Sequence, residues 1–176
     1  MKPEEFLRYH VEKITTLNEI ISKFRLYFPE TKFNYDLIPT HNGNETLKIK
    51  DVEGLGTYLY YSRQGKRAFH ELLLDYITEE LRKQEIKYRR SRKNIGEDLT
   101  VKNFKIELEV RSDPSKKPET RPNLIHRIRR YPNNTILILL NKKDKEAYLH
   151  SKAREIIISN NRFFTIPEFL NKVKKL

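Results

Sequence analysis

Asp98, Glu107 and Glu109 are three carboxylates in a short stretch of a chain whose formal net charge is +12. Leu99 to Val101 and Phe104 to Val110 read as two strands around the pair Lys102-Asn103. In the second strand, Phe104, Ile106, Leu108 and Val110 point to one face. Lys105, Glu107, Glu109 and Arg111 point to the other. Two carboxylates two residues apart on one face repel unless cations compensate them. If Lys102-Asn103 is the turn, Val101 pairs with Phe104, Leu99 with Ile106, and Asp98 falls opposite Glu107. A register shifted by two sets Asp98 opposite Glu109. Both registers keep the apolar face, and a slip of one residue does not. Either way Asp98 lies beside a glutamate, about 5 Å apart at Cβ. That spacing suits joint ligation of one hard cation, Mg²⁺ or Mn²⁺, through oxygen. Such an ion activates water and stabilises charge on a phosphate. The plain alternative is that Lys102, Lys105 and nearby arginines neutralise the glutamates on a solvated face. Glu71 adds one more acid, on the helical segment that follows Gly65.

The positive charge is uneven. Residues 1–64 carry 9 Lys+Arg and 9 Asp+Glu, and residues 65–176 carry 27 against 15. An excess confined to one part of a chain suggests a surface for a polyanion. Arg82 to Lys93 holds seven basic residues and one acid, and Arg111 to Arg130 holds seven and two. Both runs flank the acid cluster. Arg89, Arg90, Arg92, Lys93, Lys116, Lys117, Arg127 and Arg130 are the candidates for contacts to DNA phosphates. Such contacts position a duplex without reading its sequence, and they weaken steeply with salt. Each could also be an ordinary solvated charge. His70 and His126 read as structural or surface residues, since no His-rich ligand spacing surrounds them.

The elements that position these groups follow from periodicity. Phe6, Leu7, Val11, Ile14, Leu17, Ile20, Ile21, Phe24 and Phe28 predict one long amphipathic helix over residues 4–28, stopped by Pro29. It packs on its own domain or serves as a dimer helix. Residues 33–61 look extended, with turns at Asn42-Gly43-Asn44 and Glu53-Gly54 and an aromatic strand at Tyr58–Tyr61. These tyrosines pack in a sheet or stack on bases. Phe69, Leu72, Leu73, Tyr76, Ile77 and Leu81 form a helical stripe. Ile86–Arg90 reads as a strand and the proline-broken segment after Arg111 as a loop. Asn123–Tyr131 reads as a helix, Thr135–Leu140 as a buried strand, Asp144–Ala153 as a helix and Glu155–Ser159 as a strand. Ile166–Lys175 reads as a final helix with Pro167 in its first turn. Strands alternating with helices imply an α/β protein with a mixed sheet.

From Gly65 onward this order resembles the PD-(D/E)XK nuclease superfamily, and within it the archaeal Holliday-junction resolvases and archaeal-virus nucleases. The family's opening helix carries a Gly-x-x-x-aromatic-x-Glu-Leu pattern, here Gly65, Phe69, Glu71 and Leu72. Its next strand often ends in Arg-Ser, here Tyr88-Arg89-Arg90-Ser91. Its Pro-Asp is here Glu97-Asp98, without the proline. Its (Asp/Glu)-x-Lys is here Glu109-Val110-Arg111 or Glu107-Leu108-Glu109, without the lysine. The resemblance covers roughly residues 62–176. It implies a restriction-endonuclease-like core, a central mixed β-sheet flanked by helices, with residues 1–61 as an N-terminal helix and β-hairpin extension and a possible dimerisation element. It implies Glu71, Asp98, Glu107, Glu109 and Arg111 as site residues. Asp98 would be the main ligand to Mg²⁺ or Mn²⁺, and Glu109 or Arg111 would stand in the lysine's place.

The expectation is a metal-dependent DNA nuclease, an endonuclease rather than an exonuclease, acting on branched or duplex DNA as a homodimer. Two alternatives remain: a nuclease fold that only binds DNA, and metal-independent RNA cleavage through Tyr, His and Lys. The longest apolar run, Ile136 to Leu140, is far too short to span a membrane. The expected setting is the cytoplasm, including that of a virus-infected host cell. With no cysteine there is no disulfide, thiolate zinc site or Cys nucleophile. The five glycines are too scattered for a phosphate-cradling loop.

Overall fold

A computed structural model describes residues 1–11, 14–91, 97–110, 134–149 and 162–176. The chain forms two compact units, Met1–Glu71 and Leu72–Leu176. Both combine helices with a sheet, so the protein is α/β. The sequence places the domain boundary ahead of the helix Ser62–Lys83, and the two units divide inside that helix.

In the first unit, α1 (Pro3–Val11) and α2 (Leu17–Tyr27) replace the expected single helix. Thr15–Thr16 separates them as a short strand, β1. Two β-branched residues favour extended backbone there. Thr16 also closes a capping box: Glu19 N–H donates to its hydroxyl at 3.2 Å, and its own N–H donates to Glu19 Oε2 at 3.0 Å. The sheet has the order β1-β4-β3-β2, with β2 His41–Asn42, β3 Glu45–Val52 and β4 Gly56–Tyr61, all antiparallel. Thr15 pairs with Leu59 and Thr16 with Tyr58, so the break between the helices is hydrogen-bonded into this sheet. The residues before β2 are not extended throughout. Tyr35–Leu37 is a 3-10 turn capped by Asn34, whose Oδ1 accepts the Asp36 N–H. The N-terminal region is therefore two helices on a four-stranded sheet, a fuller structure than a helix and hairpin.

The apolar stripe read as one helix face is consumed within this unit. Phe6, Leu7, Val11, Ile20 and Phe24 are buried with Ile38, Leu59 and Tyr61. Tyr58, Leu59, Tyr60 and Tyr61 are buried too, which answers the choice between packing and base stacking. Tyr61 donates its hydroxyl to the Pro39 carbonyl at 2.8 Å. Burial pushes the Tyr60 hydroxyl up to about 12.

The second unit is built on a mixed five-stranded sheet of order β5-β6-β7-β8-β9. These strands are Tyr88–Arg90, Leu99–Val101, Phe104–Glu109, Thr135–Leu139 and Phe163–Thr165. β5, β6 and β7 form an antiparallel meander, and β7, β8 and β9 run parallel. β8 is buried on both faces, as a parallel central strand should be. Helix α3 (Ser62–Lys83) buries Leu73, Leu74, Ile77 and Leu81, whereas Leu72 is turned outward. After β8 comes α4 (Lys142–Leu149), and after β9 comes α5 (Ile166–Lys172) with a closing 3-10 turn, Val173–Lys175. The expected helix at 123–131 and strand at 155–159 fall outside the described residues.

Candidate functional site

The hairpin adopts the first of the two registers allowed by the sequence. Val101 pairs with Phe104, Thr100 with Lys105 and Leu99 with Ile106. The regular pairing ends at Leu99–Ile106, and Asp98 stands at a bend just ahead of β6. The Asp98 N–H donates to the Ile106 carbonyl at 3.0 Å, and its own carbonyl accepts the Ser91 N–H at 3.2 Å. Its backbone is therefore held between β5 and β7. Its side chain turns onto β7 as well: Oδ2 accepts the Leu108 N–H at 2.7 Å. That amide sits between the two glutamates in the chain, so the bond aims the Asp98 carboxylate at the strand that bears them.

Alternation assigns the faces. Arg89, Thr100 and Lys105 form one row across the meander, on the same face as Glu107 and Glu109. The glutamate rows continue as Glu107–Leu137–Phe163 and Glu109–Leu139–Thr165. The four residues of these rows on β8 and β9 are buried, and Glu109 itself is only 4% exposed. Glu107 is half-buried. The carboxylates thus stand where the exposed meander meets the covered parallel strands. A buried carboxylate at such a border requires a hydrogen-bonding or cationic partner.

In the sequence Glu97 is only half of a motif lacking its proline. In the structure it organises the cations of this face. It accepts from Thr100 Oγ1 at 2.8 Å, and its carboxylate lies 3.5 Å from Arg89 and 3.7 Å from Lys105. Its own backbone N–H, then Thr100, Lys105 and Arg89, hold its carboxyl below the usual range against the opposing effect of burial. Lys105 therefore pairs with Glu97, and Lys102 donates to the Lys174 carbonyl at 3.2 Å. The adjacency of Glu97 to Asp98 was a signal in the sequence, but its reach into the Arg89–Thr100–Lys105 row depends on the turn of the chain at 97–98.

The phosphate-contact candidates divide. Arg89 is on the glutamate face with a side chain 78% exposed. Arg90 points to the opposite face and forms an ion pair with Asp75 of α3. Glu71 is exposed and is the last residue of the first unit. Arg92, Lys93, Arg111, Lys116, Lys117, Arg127 and Arg130 lie outside the described residues.

Among the described residues no group of three or more His, Asp or Glu side chains gathers at metal-holding distance. Asp98 with one glutamate remains a fitting donor pair for Mg²⁺. That ion takes one or two carboxylates and fills its other positions with water and substrate phosphate. No helix among the described residues is long and apolar enough to cross a membrane.

Comparison with protein-family models, with curated proteins and with solved structures finds no match. The likeness to the PD-(D/E)XK superfamily thus stands on the quoted motifs and on the order of elements.

Proposed function

We propose that this chain is a divalent-metal-dependent DNA nuclease with its site at Asp98, Glu107 and Glu109. The observation that carries this reading is the Asp98 carboxylate seated on the Leu108 N–H, between two glutamates, on a face that also bears Arg89 and Lys105. Acids that hold a cation, next to cations that hold a phosphate, are what phosphodiester hydrolysis requires.

In this reading Asp98 is the principal ligand, because its main chain and side chain are both fixed to the sheet. Glu107 and Glu109 flank Leu108 on the strand to which Asp98 is tied, and Glu109 supplies a second, buried carboxylate. When bound, Mg²⁺ or Mn²⁺ would polarise a phosphate oxygen and lower the pKa of a bound water. Arg89 and Lys105 draw the backbone phosphate to the same face, with Glu97 keeping both side chains oriented. Glu71 and Arg111 belong to the proposal through the resemblance alone. Branched or duplex DNA is the proposed substrate, cut internally, and a homodimer is the proposed assembly.

The test is cleavage of duplex, branched and single-stranded DNA in Mg²⁺ or Mn²⁺, with EDTA as control and Asp98→Asn alongside. Cleavage that disappears with EDTA and with the substitution supports the reading. Asp98→Asn cutting as fast as the parent overturns the site. Salt-sensitive DNA binding without cleavage in either metal would instead identify a nuclease fold that only binds.

A further inference from the structure

The amino-terminal end of the parallel strands carries its own set of cations, away from Asp98 and the glutamates. Lys102 and Asn103 make the β6–β7 turn, and both are exposed. The Lys102 ammonium donates to the Lys174 carbonyl, which ties this turn to the closing turn Val173–Lys175. Lys174 and Lys175 are exposed as well. Arg162, just ahead of β9, holds its guanidinium 5.0 Å from the centre of the Phe104 ring, at the start of β7.

Two features of this end bear on an external partner. First, Lys102 has φ +52°, in the left-handed region. Glycine or asparagine is at ease there, and a lysine is strained by about 1 kcal/mol. Second, among the described residues no carboxylate stands within ion-pair distance of Lys102, Lys174 or Lys175. A strained turn and three exposed like charges on two turns joined by one hydrogen bond suit a ligand that supplies anions.

We infer that Lys102, Lys174 and Lys175 form a second contact for nucleic-acid phosphates, separate from the cutting site. The identity of the partner rests on the nuclease reading. The separation is fixed by β7: from Phe104 to Glu109 is five residue steps, about 17 Å of strand. A duplex advances about 3.4 Å per base pair. A duplex laid along β7 must therefore extend about five base pairs to one side of the scissile phosphate to touch both places.

The experiment is a salt titration of binding by the full chain to a duplex of roughly twenty base pairs, without added metal. The parent is compared with the triple variant Lys102→Asn, Lys174→Gln, Lys175→Gln and with Asp98→Asn. These three lysines are exposed, so the triple variant keeps its fold, and circular dichroism checks this. The slope of log K against log salt should fall by about 2–3 in the triple variant. It should not fall in Asp98→Asn. Trimming the longer flank below about five base pairs should erase the difference between parent and triple variant. A triple variant with the parent's slope and affinity overturns the inference. Lysine-dependent binding without metal-dependent cleavage by the parent leaves this surface standing and removes the nuclease reading. A parent that binds no DNA removes both.

Discussion

The Asp98 carboxylate accepts the Leu108 main-chain N–H at 2.7 Å, a side chain closing a gap where the β6–β7 ladder ends. The bond gives Asp98 a structural duty in addition to any chemical one. The two duties separate by substitution. Asp98→Ala leaves a partly buried amide without its acceptor and should cost about 1–3 kcal/mol. Asp98→Asn keeps an oxygen in place and should cost less than about 1 kcal/mol, while removing the charge a metal needs. Urea denaturation measures the first effect and metal-dependent cleavage the second. If Asn destabilises as much as Ala, the carboxylate charge itself holds the strand end.

The capping box of α2 should be visible in stability. Thr16→Ala removes the acceptor for the Glu19 N–H, for a loss of about 0.5–2 kcal/mol. The Thr16 N–H, then its hydroxyl, holds the Glu19 carboxyl below its ordinary 4.5. Because the folded value is the lower one, the ionised carboxylate contributes stability above pH 4.5. That contribution is lost as the pH falls through the folded value. Glu19→Gln should flatten this part of the curve, measured as denaturation midpoints between neutral and acid pH.

The same capping box shows what the sequence could and could not disclose. Thr16-Leu17-Asn18-Glu19 has the spacing of a helix start, yet the apolar stripe runs through it unbroken from Phe6 to Phe28. Two helices folded onto one core keep the same faces as one long helix, so periodicity alone cannot place the break. The β6–β7 register was legible only to within two residues, because one-residue slips would bury charge and two-residue slips would not. Glu97 was not legible in the same way. Its partners Arg89, Thr100 and Lys105 are neighbours only across three strands, and the path of the chain before β6 decides whether it reaches them. Arg89 and Arg90 share a basic run, which makes both look like phosphate contacts in sequence, but successive strand residues face opposite ways.

Lys145 and Glu168 join α4 to α5 at 2.7 Å, with both side chains about a quarter exposed. Burial opposes ionisation of Glu168, but Lys145 and the Thr165 N–H hold it below the usual range. A pair at this depth lies between the exposed and buried extremes. Lys145→Met with Glu168→Gln in a double-mutant cycle should give a coupling of about 1 kcal/mol. Thermal unfolding of the four proteins measures it, and a coupling indistinguishable from zero would reduce the pair to a surface contact.

Helix α3 ends on an unusual residue for its conformation. Glu85 has φ +57°, its N–H reaching the Arg82 carbonyl and the Ile86 N–H the Leu81 carbonyl at 2.9 Å. This is the closing geometry that favours glycine. Glu85→Gly should raise the stability of the second unit by about 1 kcal/mol. A higher urea midpoint at unchanged slope is the expected result, since only a strained dihedral is relieved.

Lys102 makes the opposing case, in which strain is retained where it has a use. Asparagine tolerates the left-handed region better than lysine, so Lys102→Asn alone should raise the urea midpoint by the equivalent of up to about 1 kcal/mol. The bond to the Lys174 carbonyl is exposed, and its loss offsets part of that gain. The same substitution should weaken DNA binding and take about 0.9 from its salt slope, the share of one phosphate contact. Stability and binding would then move in opposite directions at one position. If the midpoint falls instead, the link to Lys174 outweighs the strain, and the lysine is there to hold the closing turn.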